Sequence, residues 1–114
     1  MNELKGIRRG DIIYVDFGNR EGSIQGSLRP AVVMSNDMNN HFCPTLNVVP
    51  LSTRFKGMHL PCHCVVESAS RPSVAYCEQI TTVARTMVDD IVGRVTTDKL
   101  NAICKGIIAQ MELA

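Results

Sequence analysis

The chain has 114 residues and a formal net charge of +1, with 45% hydrophobic residues and no Trp. That length favours one domain with a modest core built of Val, Ile, Leu, Met and Cys. The near-neutral charge excludes a broad basic plate for polyanions, so any anion site must be local. Residues 1–60 carry seven Lys/Arg against five Asp/Glu, and the remainder five against six, which leaves at most a weak basic face in the first half.

In chain order, short apolar runs alternate with turn residues, which predicts a mainly β domain. Asp11–Phe17 alternates between Gly10 and Gly18 and reads as a strand. Residues Asn19–Leu28 hold two Gly and two Ser and read as an exposed loop. Ala31–Ser35 is a short buried strand, and Asn36–Pro44 is polar turn chemistry with room for one helical turn. Leu46–Ser52 is strand-like, with Pro50 arguing for an edge or a bulge. Cys62–Glu67 and Val74–Gln79 are two further strands, and Ile91–Val95 another, interrupted by Gly93. The period then changes. Leu100, Ile103, Cys104, Ile107, Ile108 and Met111 recur at three and four residues, one apolar helix face. Thr96 or Thr97 can cap its start, and Asp98 suits the positive end of the helix dipole. Five to seven strands followed by a C-terminal helix predict a compact barrel-like sheet.

The five Cys are odd in number and lack a disulfide framework. They fit reduced thiols in a cytoplasmic protein. The first six residues show no apolar signal region, and no stretch approaches a membrane span.

One local geometry carries chemistry. If Ala31–Ser35 and Leu46–Ser52 pair antiparallel, Arg29 lies beside Ser52 and Thr53. Pro30 holds Arg29 extended, and the loop Glu21–Leu28 would roof the same end. An Arg fork grips phosphate oxygens in two places, and a hydroxyl can donate to a third. RNA carries its own nucleophile, the 2′-OH, so cleavage needs alignment, charge relief and proton transfer, but no metal. The competing account of Arg29 is a surface ion pair with Asp11 or Glu21. For Ser52 it is the capping of a turn.

At these residues the sequence resembles the MazF/PemK toxins. Arg9-Gly10-Asp11-Ile12-Ile13-Tyr14-Val15-Asp16-Phe17 looks like the family's opening, and Gly22-Ser23-Ile24-Gln25-Gly26 is similar to its GSEQG loop. Arg29-Pro30-Ala31-Val32-Val33-Met34-Ser35-Asn36-Asp37 is the most specific segment. Pro44-Thr45, Pro50-Leu51-Ser52, Leu60-Pro61-Cys62-His63 and Glu78-Gln79-Ile80 follow in the family's order. The resemblance implies an SH3-like barrel of the CcdB/MazF type with a C-terminal helix, a homodimer, and an antitoxin partner. It implies an endoribonuclease that cuts single-stranded RNA to a 2′,3′-cyclic phosphate and a 5′-OH, without a cofactor. The catalytic Arg falls on Arg29 and the catalytic Thr on Ser52, with Thr53 the neighbouring alternative. Polar positions facing RNA fall on Ser23, Gln25, Glu78 and Gln79.

Three departures bear on the proton transfers and the sequence recognised: Ile24 replaces the loop Glu, Thr81 the Arg after the EQI motif, and Leu28 a His found in some members. They motivate two competing functions: a non-enzymatic poison of a protein such as gyrase, and a catalytically dead module that binds RNA or antitoxin. No metal site is expected. Strand alternation would point Cys62 and Cys64 one way and His63 the other, and the spacing fits no usual zinc pattern. The helix stripe is expected to be core. Met34, Met38, Phe42, Phe55 and Met58 are candidates for a dimer or antitoxin groove.

Overall fold

A computed structural model describes residues 6–18, 27–55, 57–58, 60, 62–66 and 72–113. Seven strands are present: β1 (Asp11–Asp16), β2 (Leu28–Val33), β3 (Thr45–Ser52), β4 (His63–Val66), β5 (Ser73–Tyr76), β6 (Thr81–Ala84) and β7 (Val88–Arg94). Two helices join them, α1 (Asp37–Phe42) after β2 and α2 (Thr97–Met111) at the end, with 3-10 turns at Cys77–Gln79 and Arg85–Met87. The described pairings are antiparallel and run β4-β5-β3-β2-β1-β7, with β6 also on β3. The expected β architecture under a C-terminal helix is therefore present, but the hydrogen-bonded path stays open, with β4 and β7 at its ends.

Both faces of the central strands are buried, which explains why AVV and VVPL read as continuous apolar runs. One face gathers Ile12, Val32, Val49, Leu51, Val66, Ala75, Cys77 and Ile103 under α2. The other gathers Ile13, Val15, Ala31, Val33, Leu46, Val48, Val83 and Val88. Helix α2 begins as its sequence predicts, with the Thr96 side chain accepting from the Lys99 N–H at 3.2 Å. Leu100, Ile103, Cys104 and Ile107 pack on the first face, but Ile108 and Met111 are exposed, so the stripe is core only over its first two-thirds.

Pro50 does not mark an edge. Strand β3 is internal, paired with β2 on one side. On its other side it pairs with β6 up to Val48 and with β5 from Leu51. Val49 and Pro50 fall between those two ladders, where a residue without an N–H forfeits no sheet bond. Helix α1 and the segment that leads into it are tied by buried polar groups. The Asn40 amide donates to the Ser35 carbonyl at 2.8 Å, and the Ser35 hydroxyl donates to Asn40 Oδ1 at 2.5 Å. Arg85 adds its guanidinium to the carbonyls of Asn40 and Cys43.

Candidate functional site

The β2–β3 ladder pairs Ala31 with Pro50, Val32 with Val49 and Val33 with Val48. Carried two residues further, the same register sets Arg29 opposite Ser52. Residues opposite one another in an antiparallel pair share a face and sit about 4.5–5.5 Å apart at Cβ. That face is the one carrying Ala31, Val33 and Val48. Arg29 pairs with Val15 of β1, and that ladder fixes its backbone.

The two members differ in exposure. Arg29 is half-buried and Thr53 exposed, whereas Ser52 is only 3% exposed. The Ser52 hydroxyl oxygen accepts from the Arg54 N–H at 3.1 Å, closing the turn that ends β3. Arg54 is also held through its carbonyl, which accepts from the Tyr76 hydroxyl at 2.5 Å. Arg54 and Tyr76 escaped the sequence analysis. A buried Tyr must find a partner for its hydroxyl, but nothing local says that the partner lies 22 residues back.

Tyr76 leads into a second polar group. Its ring stacks on His63 at 4.6 Å between centroids. His63 Nε2 lies 2.8 Å from Glu78 Oε2, and Nδ1 lies 3.1 Å from the Gly57 carbonyl. The His63 side chain is 7% exposed. Glu78 was expected on a strand facing RNA. It lies instead in the 3-10 turn Cys77–Gln79, which aims its carboxylate inward at His63. Gln79 is half-buried in the same turn. Ser23 and Gln25 lie outside the described residues.

The expected separation of Cys62 from His63 does not hold. Cys62 precedes the first residue of β4, so alternation does not govern it, and the ligand atoms of Cys62, His63 and Glu78 lie within 4.8 Å of one another. Burial pushes the Cys62 thiol up, and the neighbouring Glu78 carboxylate adds to the effect. Nearby, the Cys77 thiol hydrogen-bonds Cys64 and draws its pKa down to about 7.

A cleft of about 560 Å³ lies beyond Leu28, lined by Asp16, Thr86, Met87, Val88 and Asp89. Two carboxylates in its walls disfavour a phosphate, so the Arg29 end of β2–β3 remains the better anion site.

The described chain forms an open antiparallel sheet under a C-terminal helix, a small mainly β class of fold. It superposes on a Mycobacterial endoribonuclease solved with its cognate antitoxin, with a TM-score of 0.81, 19% identity, and 96% and 98% of the two chains covered. It matches MazF from Deinococcus radiodurans equally well, with a TM-score of 0.81, 18% identity and coverage of 93% and 96%. At that identity these likenesses show the fold. In sequence it is 29% identical over 112 residues to the endoribonuclease EndoA of Bacillus subtilis strain 168, covering 95% of each chain. Residues 8–111 match the family of PemK-like, MazF-like toxins of type II toxin–antitoxin systems, and the chain belongs to that family.

Proposed function

We propose that the chain is a metal-independent endoribonuclease that cuts single-stranded RNA in the cytoplasm and is held in check by a cognate antitoxin. The observation that carries this is the β2–β3 register, which, continued two residues past its last pair Ala31–Pro50, would bring Arg29 across from Ser52. The guanidinium would take two phosphate oxygens and offset the charge that builds as the 2′-OH attacks phosphorus. Ser52 uses an oxygen lone pair on the Arg54 N–H, so its own O–H stays available to donate to a third oxygen. Thr53, which follows Ser52 in the chain, and Gln79 are further candidates for RNA contacts, as are Ser23 and Gln25, which lie outside the described residues. Unstacked bases expose polar edges that such side chains can read. The Arg54 backbone, fixed by Ser52 and Tyr76, sets a second cation at the same strand end.

The membership and the named endoribonucleases support this reading. Five free cysteines fit a reducing compartment. Among the described residues no helix is long and apolar enough to cross a membrane. A shallow groove lined by Met34, Ile80, Cys104, Ile107 and Ile108 offers apolar surface for a second copy of the chain.

The near-complete burial of Ser52 and the inward turn of Glu78 favour a second reading, a module that binds RNA or antitoxin without cutting. One experiment separates the two. Purified protein is incubated with long RNA in EDTA, and the products are sequenced at their ends. Cleavage to 2′,3′-cyclic phosphate ends, lost in Arg29→Ala, supports the enzyme; RNA retention without new ends supports the binding module.

A further inference from the structure

We propose that Cys62, His63 and Glu78 form a binding site for one zinc-type divalent cation, joining the start of β4 to the turn that follows β5. The three side chains offer a thiol sulfur, an imidazole nitrogen and a carboxylate oxygen, all within 4.8 Å of one another. That donor set suits zinc, a borderline-soft ion that accepts S, N and O ligands. In a tetrahedral site with bonds of about 2.0–2.3 Å, ligand atoms stand about 3.3–3.8 Å apart. The farthest pair must therefore close by about 1 Å, and the 2.8 Å His63–Glu78 contact must open by less than that.

Two further observations point to a ligand. Glu78 Oε1 is buried, and no hydrogen bond of acceptable geometry reaches it among the described residues. A carboxylate oxygen withdrawn from water without a donor is costly, and a bound cation would satisfy it. His63 is also arranged as metal-bound histidines are. The Gly57 carbonyl, 3.1 Å from Nδ1, accepts the Nδ1 proton and so turns the Nε2 lone pair toward Glu78 and Cys62. The approach of Gly57 is itself specified. It adopts φ +60°, and a Cβ there would come within 3.2 Å of the His63 ring.

Binding displaces the proton shared between His63 Nε2 and Glu78 Oε2 and the proton of the Cys62 thiol, and both pass to solvent. Three protein ligands leave a fourth position for water. The ion takes no part in RNA cleavage as proposed above; it would fasten two neighbouring turns. The plain alternative is a buried His–Glu ion pair whose carboxylate also takes a hydrogen bond from the Cys62 thiol, with no ion present.

The test uses the full chain, reduced, stripped with EDTA and exchanged into chelator-free buffer. Cobalt(II) alone is added and followed by absorption, then displaced by zinc(II). The site predicts one equivalent per chain, a thiolate-to-cobalt charge-transfer band, and the intense visible bands of a four-coordinate ion. Glu78→Gln and His63→Gln should each weaken binding by roughly 10–100-fold or more, since loss of outer-sphere partners alone has that effect. Cys62→Ser should abolish the charge-transfer band, while Cys64→Ser and Cys104→Ser keep it. Circular dichroism identifies any variant that fails to fold, and Glu78→Gln, the least disruptive change, then decides. Absence of a thiolate band in the wild type would overturn the proposal. So would a band that survives Glu78→Gln and His63→Gln unchanged, or one that disappears with Cys64→Ser.

Discussion

The hydroxyl oxygen of Ser52 accepts from the Arg54 N–H at 3.1 Å, so the side chain proposed to hold a phosphate oxygen also caps the end of β3. This double duty sets the first prediction. Ser52→Ala should lower kcat about 100-fold by removing a phosphate donor, and should also cost about 1 kcal/mol of stability through the lost cap. Ser52→Thr should keep cleavage within about tenfold, because the hydroxyl is retained. Single-turnover cleavage and urea melts on the same preparations check both.

Arg29 separates charge from geometry. Arg29→Ala should abolish cleavage, and Arg29→Lys should restore only a minor part of it, because an ammonium lacks the two-pronged fork. Salt dependence of binding, measured by fluorescence anisotropy on a short RNA, should flatten in Arg29→Ala but not in Arg29→Lys.

Asn40 is 3% exposed, and its side chain serves both the carbonyl and the hydroxyl of Ser35. Asn40→Ala leaves those groups buried without their partner and should destabilise the fold by about 1–3 kcal/mol. Asn40→Asp should not rescue it, since the donor to the Ser35 carbonyl is lost. Denaturant midpoints give the answer.

Asp37 predicts a pH effect. Its carboxyl sits below the ordinary 3.8, chiefly because the Arg9 N–H donates to it at 2.7 Å; slight burial opposes this, and Asn40 contributes a further hydrogen bond. A depressed carboxylate stabilises the fold above its unfolded pKa and loses that effect as pH falls through the folded one. Asp37→Asn should therefore destabilise the fold slightly near pH 7, the effect being screened at an exposed site, and the gap to wild type should close as pH falls below 3.8 through the folded pKa. Thermal melts across that range test it.

Gly57→Ala places a Cβ at positive φ, 3.0 Å from Leu60 and 3.2 Å from the His63 ring. It should cost about 1–2 kcal/mol and move the His63 ring. The His63 proton resonances should shift well beyond those of His41, on the exposed surface of α1.

Much of this architecture was legible from residue order. Periodicity located α2 and its Thr96 cap, and the RPAVV and NVVPLS runs gave the antiparallel β2–β3 pair. Strand β6 was not legible, because Thr81–Ala84 is short and its only strong apolar anchor is Val83. Nor was the path left open at its ends, since periodicity reports which face is buried but not which strands exchange hydrogen bonds. The inward course of Glu78 depends on a 3-10 turn where alternation predicts a strand. The gathering of Cys62, His63 and Glu78 depends on that turn and on Cys62 standing just outside β4.

The two ends of the main strand path, β4 and β7, have unequal defences. Strand β7 carries Asp89, Asp90 and Arg94, charges that discourage another chain from docking along it. Strand β4 reads His63-Cys64-Val65-Val66, with no Asp, Glu, Lys or Arg, and among the described residues no further strand lies beyond it. Aggregation of a concentrated preparation should therefore start at β4, and a single lysine placed there would be the economical way to keep this toxin in solution.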